Sequence, residues 1–388
     1  MSSYVASQAE LEQLVEQLEG SRILAIDTEF LREKTYYAKL CLIQLNNGRQ
    51  QALVDPLAVE DLSVLAPILV DANCTKVFHA ASQDIDILYH ETGVVPTPVF
   101  DTQIAASLLG HPLQVGYGPL VRAVCDVRLP KADGYTDWAR RPLSEHQLRY
   151  ALDDVVYLPH IYEVLRSELE KQGRLQWIER DFAALSDPAK YEVDPREMWH
   201  KVKRVSTLNR RQLAVAREVA AWREEVAMRR NLPRKWVLPD EALVEVARKA
   251  PSTRERLLEV RGLSGKLNQA DVNGVLEAVR KARELPQSQW PRIQRARHGE
   301  HELEGAVSLM QALVEVRAKQ NGVATQLLAP HAELEHLARG HREGIDVLQG
   351  WRYDMVGREL EQLLSGELVL RVGAEGVEAV APQAAPGK

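Results

Sequence analysis

Apolar residues along this chain follow two different periods. Between about residues 22 and 165, short runs rich in Ile, Leu and Val alternate with amphipathic stretches. RILAIDTE, KLCLIQLNN, RQQALVD and TKVFHA read as four successive strands, because aliphatic and β-branched residues in short runs between turn residues fit a pleated, half-buried surface. Asn46 to Gly48 supplies a turn signal between the second and third of them. SQDIDILYHETG has helical spacing and ends at Gly93 and Pro96, and a short strand near Val99 leads into the helical DTQIAASLLG. This order predicts a mixed α/β sheet rather than a doubly wound parallel one. From about residue 205 the strand signal stops. LNRRQLAVAREVAAWREEVAMRR, PDEALVEVARKA, STRERLLEVRG and QADVNGVLEAVRKAREL are amphipathic helices separated by Pro and Gly breaks. A polar linker, PQSQWPRIQRARHGEHE, precedes further helices over about 303–370, and GAEGVEAVAPQAAPGK reads as a disordered tail.

At 388 residues the chain is too long for one ordinary core, so two or three domains are expected. No apolar stretch is long enough to cross a bilayer. The start, MSSYVASQAELEQLVEQLEG, reads as an acidic amphipathic helix rather than a signal peptide, so a cytoplasmic protein without a membrane partner is expected. Cys41, Cys74 and Cys125 are odd in number and widely spaced in apolar contexts, which suits buried thiols better than disulfides or a zinc site.

The net charge of −6 argues against a nucleic-acid partner until it is divided along the chain. Residues 1–160 hold 12 Lys/Arg against 21 Asp/Glu, whereas residues 201–300 hold 23 against 12. An acidic front joined to a basic middle suggests that one part holds a polyanion while the other performs chemistry that needs carboxylates.

Asp27 and Glu29 stand two apart at the end of the first of these strands, so they project from one face. Like charges that close repel unless a cation lies between them; the competing reading is a pair of exposed acids. Asp84 falls in the first turn of a helix if Ser82 is its cap, where an acid also stabilises the helix N-terminus. In SEHQLRYALDDVVYL, Ser144 and Gln147 form a capping box, and Tyr150 and Asp154, four apart, share a helix face from which Asp153 is rotated away.

Taken together, Asp27-x-Glu29, Asp84 and Tyr150-x-x-x-Asp154 resemble in order and spacing the three exonuclease motifs of the DEDD superfamily, in its tyrosine-bearing branch. DTEFLREKTYYAKLCLIQL, FHAASQDIDIL and GYGPLVRAVCDVRLPKADGYTDWARRPLSEHQLRYALDDVVYLPHIY are similar to the corresponding stretches of the ribonuclease D family, and the helical remainder resembles the HRDC modules of that family. The similarity is clearer over 207–285 than over 303–370, although Gly350-Trp351-Arg352 and Gly357 fit the end of the family pattern. The resemblance implies a ribonuclease H-like, mixed five-stranded sheet flanked by helices over residues 1–185. It further implies HRDC-like all-α domains at 205–287 and 303–372, ahead of a disordered tail at 373–388.

The resemblance also implies a metal-dependent 3′–5′ exoribonuclease that matures tRNA precursors and other small stable RNAs from single-stranded 3′ ends, releasing nucleoside 5′-monophosphates. Its cofactors are two divalent ions, Mg²⁺ or Mn²⁺, which suit a sequence offering carboxylates without a dense Cys/His cluster. On the family roles, Asp27 bridges both ions, Glu29 and Asp154 complete the site that holds the nucleophilic water, Asp84 supports the second ion, and Tyr150 orients the water. A phenol with an ordinary pKa near 10 is a poor base at neutral pH.

Other residues call for smaller roles. His79 ends a strand and is expected as a hydrogen-bonded core histidine rather than a ligand. Arg140 and Arg141 precede the Tyr150 helix and are candidates for phosphate contact, with ion pairs to local acids as the competing role. RNLPRKWVLPDEAL gathers Arg230, Arg234 and Lys235 as candidate RNA contacts, with Trp236 expected to plug the helical core. HGEHE at 298–302 has metal-capable residues but no second cluster and is discounted. The chain is expected to act as a monomer. A DNA exonuclease, or a binding protein on a nuclease-like fold, are the alternatives; the presence of all five catalytic residues disfavours the latter.

Overall fold

The computed structural model describes residues 2–130, 136–263, 267–293, 300–374 and 376–382. Its contacts divide it into two compact units. The first comprises residues 1–29, 41–188 and 296–388, and the second residues 30–40 and 189–295.

The first unit is built on a six-stranded mixed sheet in the order β1-β4-β3-β2-β5-β6. The strands are β1 (Ser2–Val5), β2 (Ile23–Leu31), β3 (Lys39–Asn46), β4 (Gln51–Val54), β5 (Thr75–Phe78) and β6 (Val99–Asp101). β1 runs parallel to β4, β3 antiparallel to β4, and β2, β5 and β6 parallel to one another. One strand more than expected is present. It is β1, in a stretch read from sequence as helical; the helix begins only at Gln8, where the Ser7 hydroxyl accepts from the Glu10 amide. The Asn46–Gly48 signal makes the β3–β4 turn, with the Asn46 side chain accepting from the Gly48 amide and Gly48 at φ +84°.

The helices Thr102–Ser107 and Leu158–Lys171 share a hydrophobic core with the sheet through Phe100, Ala105, Ile161 and Leu165. The same core continues into Met310, Leu313, Leu328, Leu337 and Leu360. Residues 303–372, expected as a separate helical domain, therefore belong to the same compact unit as the sheet. Polar ties support the shared core: the Ala324 amide donates to the Ser107 carbonyl at 2.8 Å, and Arg174 donates to the carbonyls of Leu108 and Asn321 at 2.7 and 2.6 Å. Trp351 stacks on Trp177 with ring centroids 4.8 Å apart, and a Cβ at Gly357 would stand 2.2 Å from the Val347 carbonyl, which explains why glycine occupies that position. Part of the expected tail is an antiparallel hairpin, β7 (Val369–Gly373) with β8 (Gly376–Val380).

The second unit is helical with its own core, drawn from the helices Arg210–Arg230, Asp240–Lys249 and Gln269–Glu284 through Leu213, Val219, Leu243, Val246, Val275 and Val279. The segment 30–40 belongs to this unit. Asn231, closing the first of these helices at φ +48°, accepts from the amides of Tyr36 and Tyr37 at 3.0 Å. Among the described residues no helix is long and apolar enough to cross a membrane. Cys41, Cys74 and Cys125 form no disulfide; Cys41 and Cys74 are buried, as expected, and Cys125 is partly buried.

Candidate active site

β2 carries Asp27 and Glu29 at its C-terminal half, just past the fully buried Leu24, Ala25 and Ile26. The apolar half anchors the strand in the core, and the alternation of side chains then points both acids one way. The Ser144–Gln147 capping box starts the helix Glu145–Val156 as expected, and this helix brings Asp154 to the pair. Ligand atoms of Asp27, Glu29 and Asp154 lie within 4.8 Å of one another. Asp84 stands in the first turn of the helix Ser82–Thr92 and is only 7 % exposed. It lies outside that triad but close enough for its charge to act on both Asp27 and Glu29.

Ser82 is not the cap of that helix. Asp101, at the end of β6, does the equivalent work by accepting from the amides of Ala80 and Ala81 at 3.1 and 2.9 Å, with Ala80 held at φ +61°. The Thr28 hydroxyl donates to Asp84 and fixes it. Neither support was legible in sequence, since each joins residues remote along the chain. Gln44 is another: fully buried in β3, its amide approaches Asp27 at 3.5 Å.

The electrostatics follow from crowding. Burial, then the charges of Asp84, Asp154 and Glu29, push the Asp27 carboxyl well above its ordinary range. Burial and the same kind of repulsion raise Glu29 to about 8, and burial raises Asp84 and Asp154 to about 7. Tyr150 is pushed up by burial and by Asp154, to which it is hydrogen-bonded, so it keeps its proton at neutral pH. Among the described residues no cationic side chain figures in these shifts, and four carboxyls forced together in this way call for a counter-charge. Hard oxygen donors at this spacing fit Mg²⁺ or Mn²⁺, so the donor set matches a divalent-metal centre.

His79 is a buried hydrogen-bonded histidine, bridging the Thr102 hydroxyl and the Val115 carbonyl at 2.9 Å each, as expected. Arg141 is consumed by an ion pair. It grips the nearly buried Asp55 at 2.5 and 2.6 Å and donates to the Cys41 carbonyl, an ion pair, but with an acid remote in sequence rather than the local one expected. Arg140 is exposed. In the helical unit Arg230 pairs with Asp271 at 2.6 Å, and Arg234 holds the fully buried Glu224 at 2.5 and 2.7 Å. Of that basic loop, Lys235 and Trp236 face solvent; Trp236 is 59 % exposed and is not the core plug expected of it. Of HGEHE, residues 298 and 299 lie outside the described residues and the other three open the helix Glu300–Asn321.

A 3′–5′ exonuclease family model matches residues 3–170, and an HRDC domain model matches residues 212–279. The chain is 39 % identical to ribonuclease D of Gluconacetobacter diazotrophicus over 378 residues, covering 97 % of this chain and 96 % of that one. The chain belongs to the ribonuclease D family. Ribonuclease D of Granulibacter bethesdensis is 40 % identical, with 92 % and 91 % covered. The crystal structure of Escherichia coli RNase D, an exoribonuclease involved in structured RNA processing, superimposes with a TM-score of 0.81 at 31 % identity, covering 93 % of this chain and 98 % of that one. As a member of this family, the chain is a 3′–5′ exoribonuclease, a hydrolase of phosphodiester bonds that acts on RNA. The exonuclease family to which it belongs depends on divalent metal.

Proposed function

We propose that this exoribonuclease trims tRNA precursors and other small stable RNAs with single-stranded 3′ ends, as a cytoplasmic monomer, releasing nucleoside 5′-monophosphates. The observation that carries the reading is the convergence of Asp27, Glu29 and Asp154 within 4.8 Å, with Asp84 adjoining. The likeness over nearly the whole chain to an enzyme of structured RNA supports the substrate class.

In this reading Asp27, Glu29, Asp84 and Asp154 hold two ions, Mg²⁺ or Mn²⁺. When bound, such a pair supplies an acidified water and a counter-charge for the departing oxygen. The residues do the rest. Carboxyls whose affinity for protons is raised by their neighbours give those protons up on metal binding, so loading couples to pH. Tyr150 donates to Asp154, which leaves its phenolic oxygen lone pairs to accept from a water and orient it. We assign residues 1–185 to the nuclease and 205–287 to an HRDC-type module that holds the RNA body. Residues 303–372 are a second, diverged copy of that module, now packed on the nuclease core.

The test is digestion of a 3′-tailed tRNA and a matched DNA, with Mg²⁺ or with chelator. Mononucleotides from the RNA alone, and only with metal, are expected. Equal digestion of the DNA contradicts the substrate assignment, and inertness on both contradicts the roles given to the carboxylates.

A further inference from the structure

The helix Glu145–Val156 presents a second stripe beside the one that carries Tyr150 and Asp154. His146, Arg149 and Asp153 are spaced by three and four residues and so share a face, one position behind the catalytic pair. Sequence spacing alone rotates Asp153 away from Asp154. The structure nevertheless brings both to one cavity of about 210 Å³, with Leu129 and Pro130 as one wall and His146, Arg149, Tyr150, Asp153 and Asp154 as the other. Asp154 belongs both to this lining and to the carboxylate cluster, and Tyr150 is hydrogen-bonded to it, so the cavity adjoins the reaction centre. The hydrolytic roles described above use neither Arg149 nor Asp153.

The cavity has a chemistry of its own. Asp153 and the Arg149 guanidinium stand four residues apart and Arg149 offsets the Asp153 charge, so of the two acids lining the cavity only Asp154 belongs to the cation-seeking cluster. Leu129 and Pro130 offer an apolar surface on which a ribose or base can lie. Arg149 is exposed and offers donors suited to a phosphate. The Asp153 carboxylate only accepts hydrogen bonds, and its main chain is held by the Tyr117 hydroxyl, which donates to the Asp153 carbonyl at 3.1 Å. A nucleic-acid strand offers an acceptor of this kind few donors outside the bases. The ribose 2′-hydroxyl is the one that separates RNA from DNA.

We propose that this cavity is a subsite for a ribonucleotide at the RNA 3′ end, in which Asp153 accepts from a ribose 2′-hydroxyl and Arg149 holds a phosphate of the same strand. Asp153 is thus a specificity-determining residue that sets ribose over deoxyribose. The inference rests on the carboxylate centre being the hydrolytic site.

The test uses single-stranded RNA oligonucleotides carrying one 2′-deoxy substitution, at either the terminal or the penultimate nucleotide, cleaved by the full chain with Mg²⁺. In the wild type, the deoxy group at the position the cavity holds lowers kcat/KM by about tenfold, the weight of one hydrogen bond to a charged group. Asp153→Ala lowers kcat/KM on the all-ribo strand by a similar factor and removes the deoxy penalty at that position alone. Asp153→Asn, which keeps the shape should the alanine variant fold poorly, weakens the penalty at the same position. Arg149→Ala raises KM more than it changes kcat and leaves the penalty in place. Penalties as large in the Asp153 variants as in the wild type, or no penalty in the wild type at either position, overturn the proposal. Metal-dependent hydrolysis that persists alongside such a result leaves the carboxylate assignment standing, so the two failures are distinguishable.

Discussion

Charged groups are withdrawn from water in both units, on opposite plans. In the helical unit each buried charge has its opposite. Glu224 has no exposed surface, yet it takes two hydrogen bonds from Arg234 and one from the Tyr36 hydroxyl, while Arg223 meets Asp240 at 2.7 Å. In the nuclease unit Asp27, Glu29, Asp84 and Asp154 crowd together with the same sign, and their carboxyls hold protons to unusually high pH. A paired buried charge is neutral already and serves architecture. An unpaired like-charge cluster is a binding site whose missing partner is a cation.

Removing one member should therefore have opposite consequences in the two places. Asp27→Ala is expected to lower RNA hydrolysis on the order of 10³-fold, as for loss of a preorganised electrostatic group, without lowering the melting temperature of the metal-free protein, since a repulsion is relieved. Retained turnover, or a clear loss of stability, would break the contrast. Arg234→Ala strands Glu224 as an unpaired buried charge and should cost about 3–5 kcal/mol in a denaturant titration. An effect under about 1 kcal/mol, the range of surface pairs, would show that the helical unit does not depend on its pairs.

Tyr150→Phe removes the hydroxyl bonded to Asp154 and should reduce single-turnover cleavage by about tenfold to a hundredfold, in line with loss of a group that orients a metal ligand, while RNA affinity holds. An unchanged rate would remove the water-orienting role. The pH dependence is subtler and has a defined sign. Glu29, Asp84 and Asp154 titrate higher in the folded chain than in the unfolded one, to about 8, 7 and 7. Their contribution is complete below about pH 4 and is lost as pH rises through 7 to 8. The metal-free protein should therefore melt progressively lower between pH 5 and pH 8.5, and saturating Mg²⁺ should flatten that slope. A slope of the reverse sign would contradict the crowding.

The same contrast explains what could be read along the chain. Asp27 and Glu29 alternate on a strand, and Tyr150 and Asp154 repeat on a helix, so their common faces follow from local geometry. The strands β2 to β6 and the three helices of the second unit were legible for the same reason. Partners remote in sequence were not. Arg141 finds Asp55 86 residues away, and Arg230 finds Asp271 41 residues away, so candidate phosphate ligands turn out to be structural pairs. Periodicity in residues 303–370 disclosed apolar faces without saying what covers them, and the answer is the nuclease core. β1 and the hairpin β7–β8 lack the flanked aliphatic runs that marked β2 to β6: Ser2–Val5 carries a single aliphatic residue, and β7 and β8 interleave their valines with Gly, Arg, Glu and Ala. Trp236 was misjudged because a tryptophan in a Pro-bounded loop packs inward or outward according to neighbours that the loop itself does not reveal.

Calorimetric titration of Mn²⁺ into the metal-free full chain tests the central claim most directly, alongside Asp27→Ala and Asp154→Ala. The account predicts two bound ions in the wild type, release of protons at pH 7, and binding weakened at least tenfold in each variant. Binding of the same stoichiometry and affinity in all three proteins would contradict it.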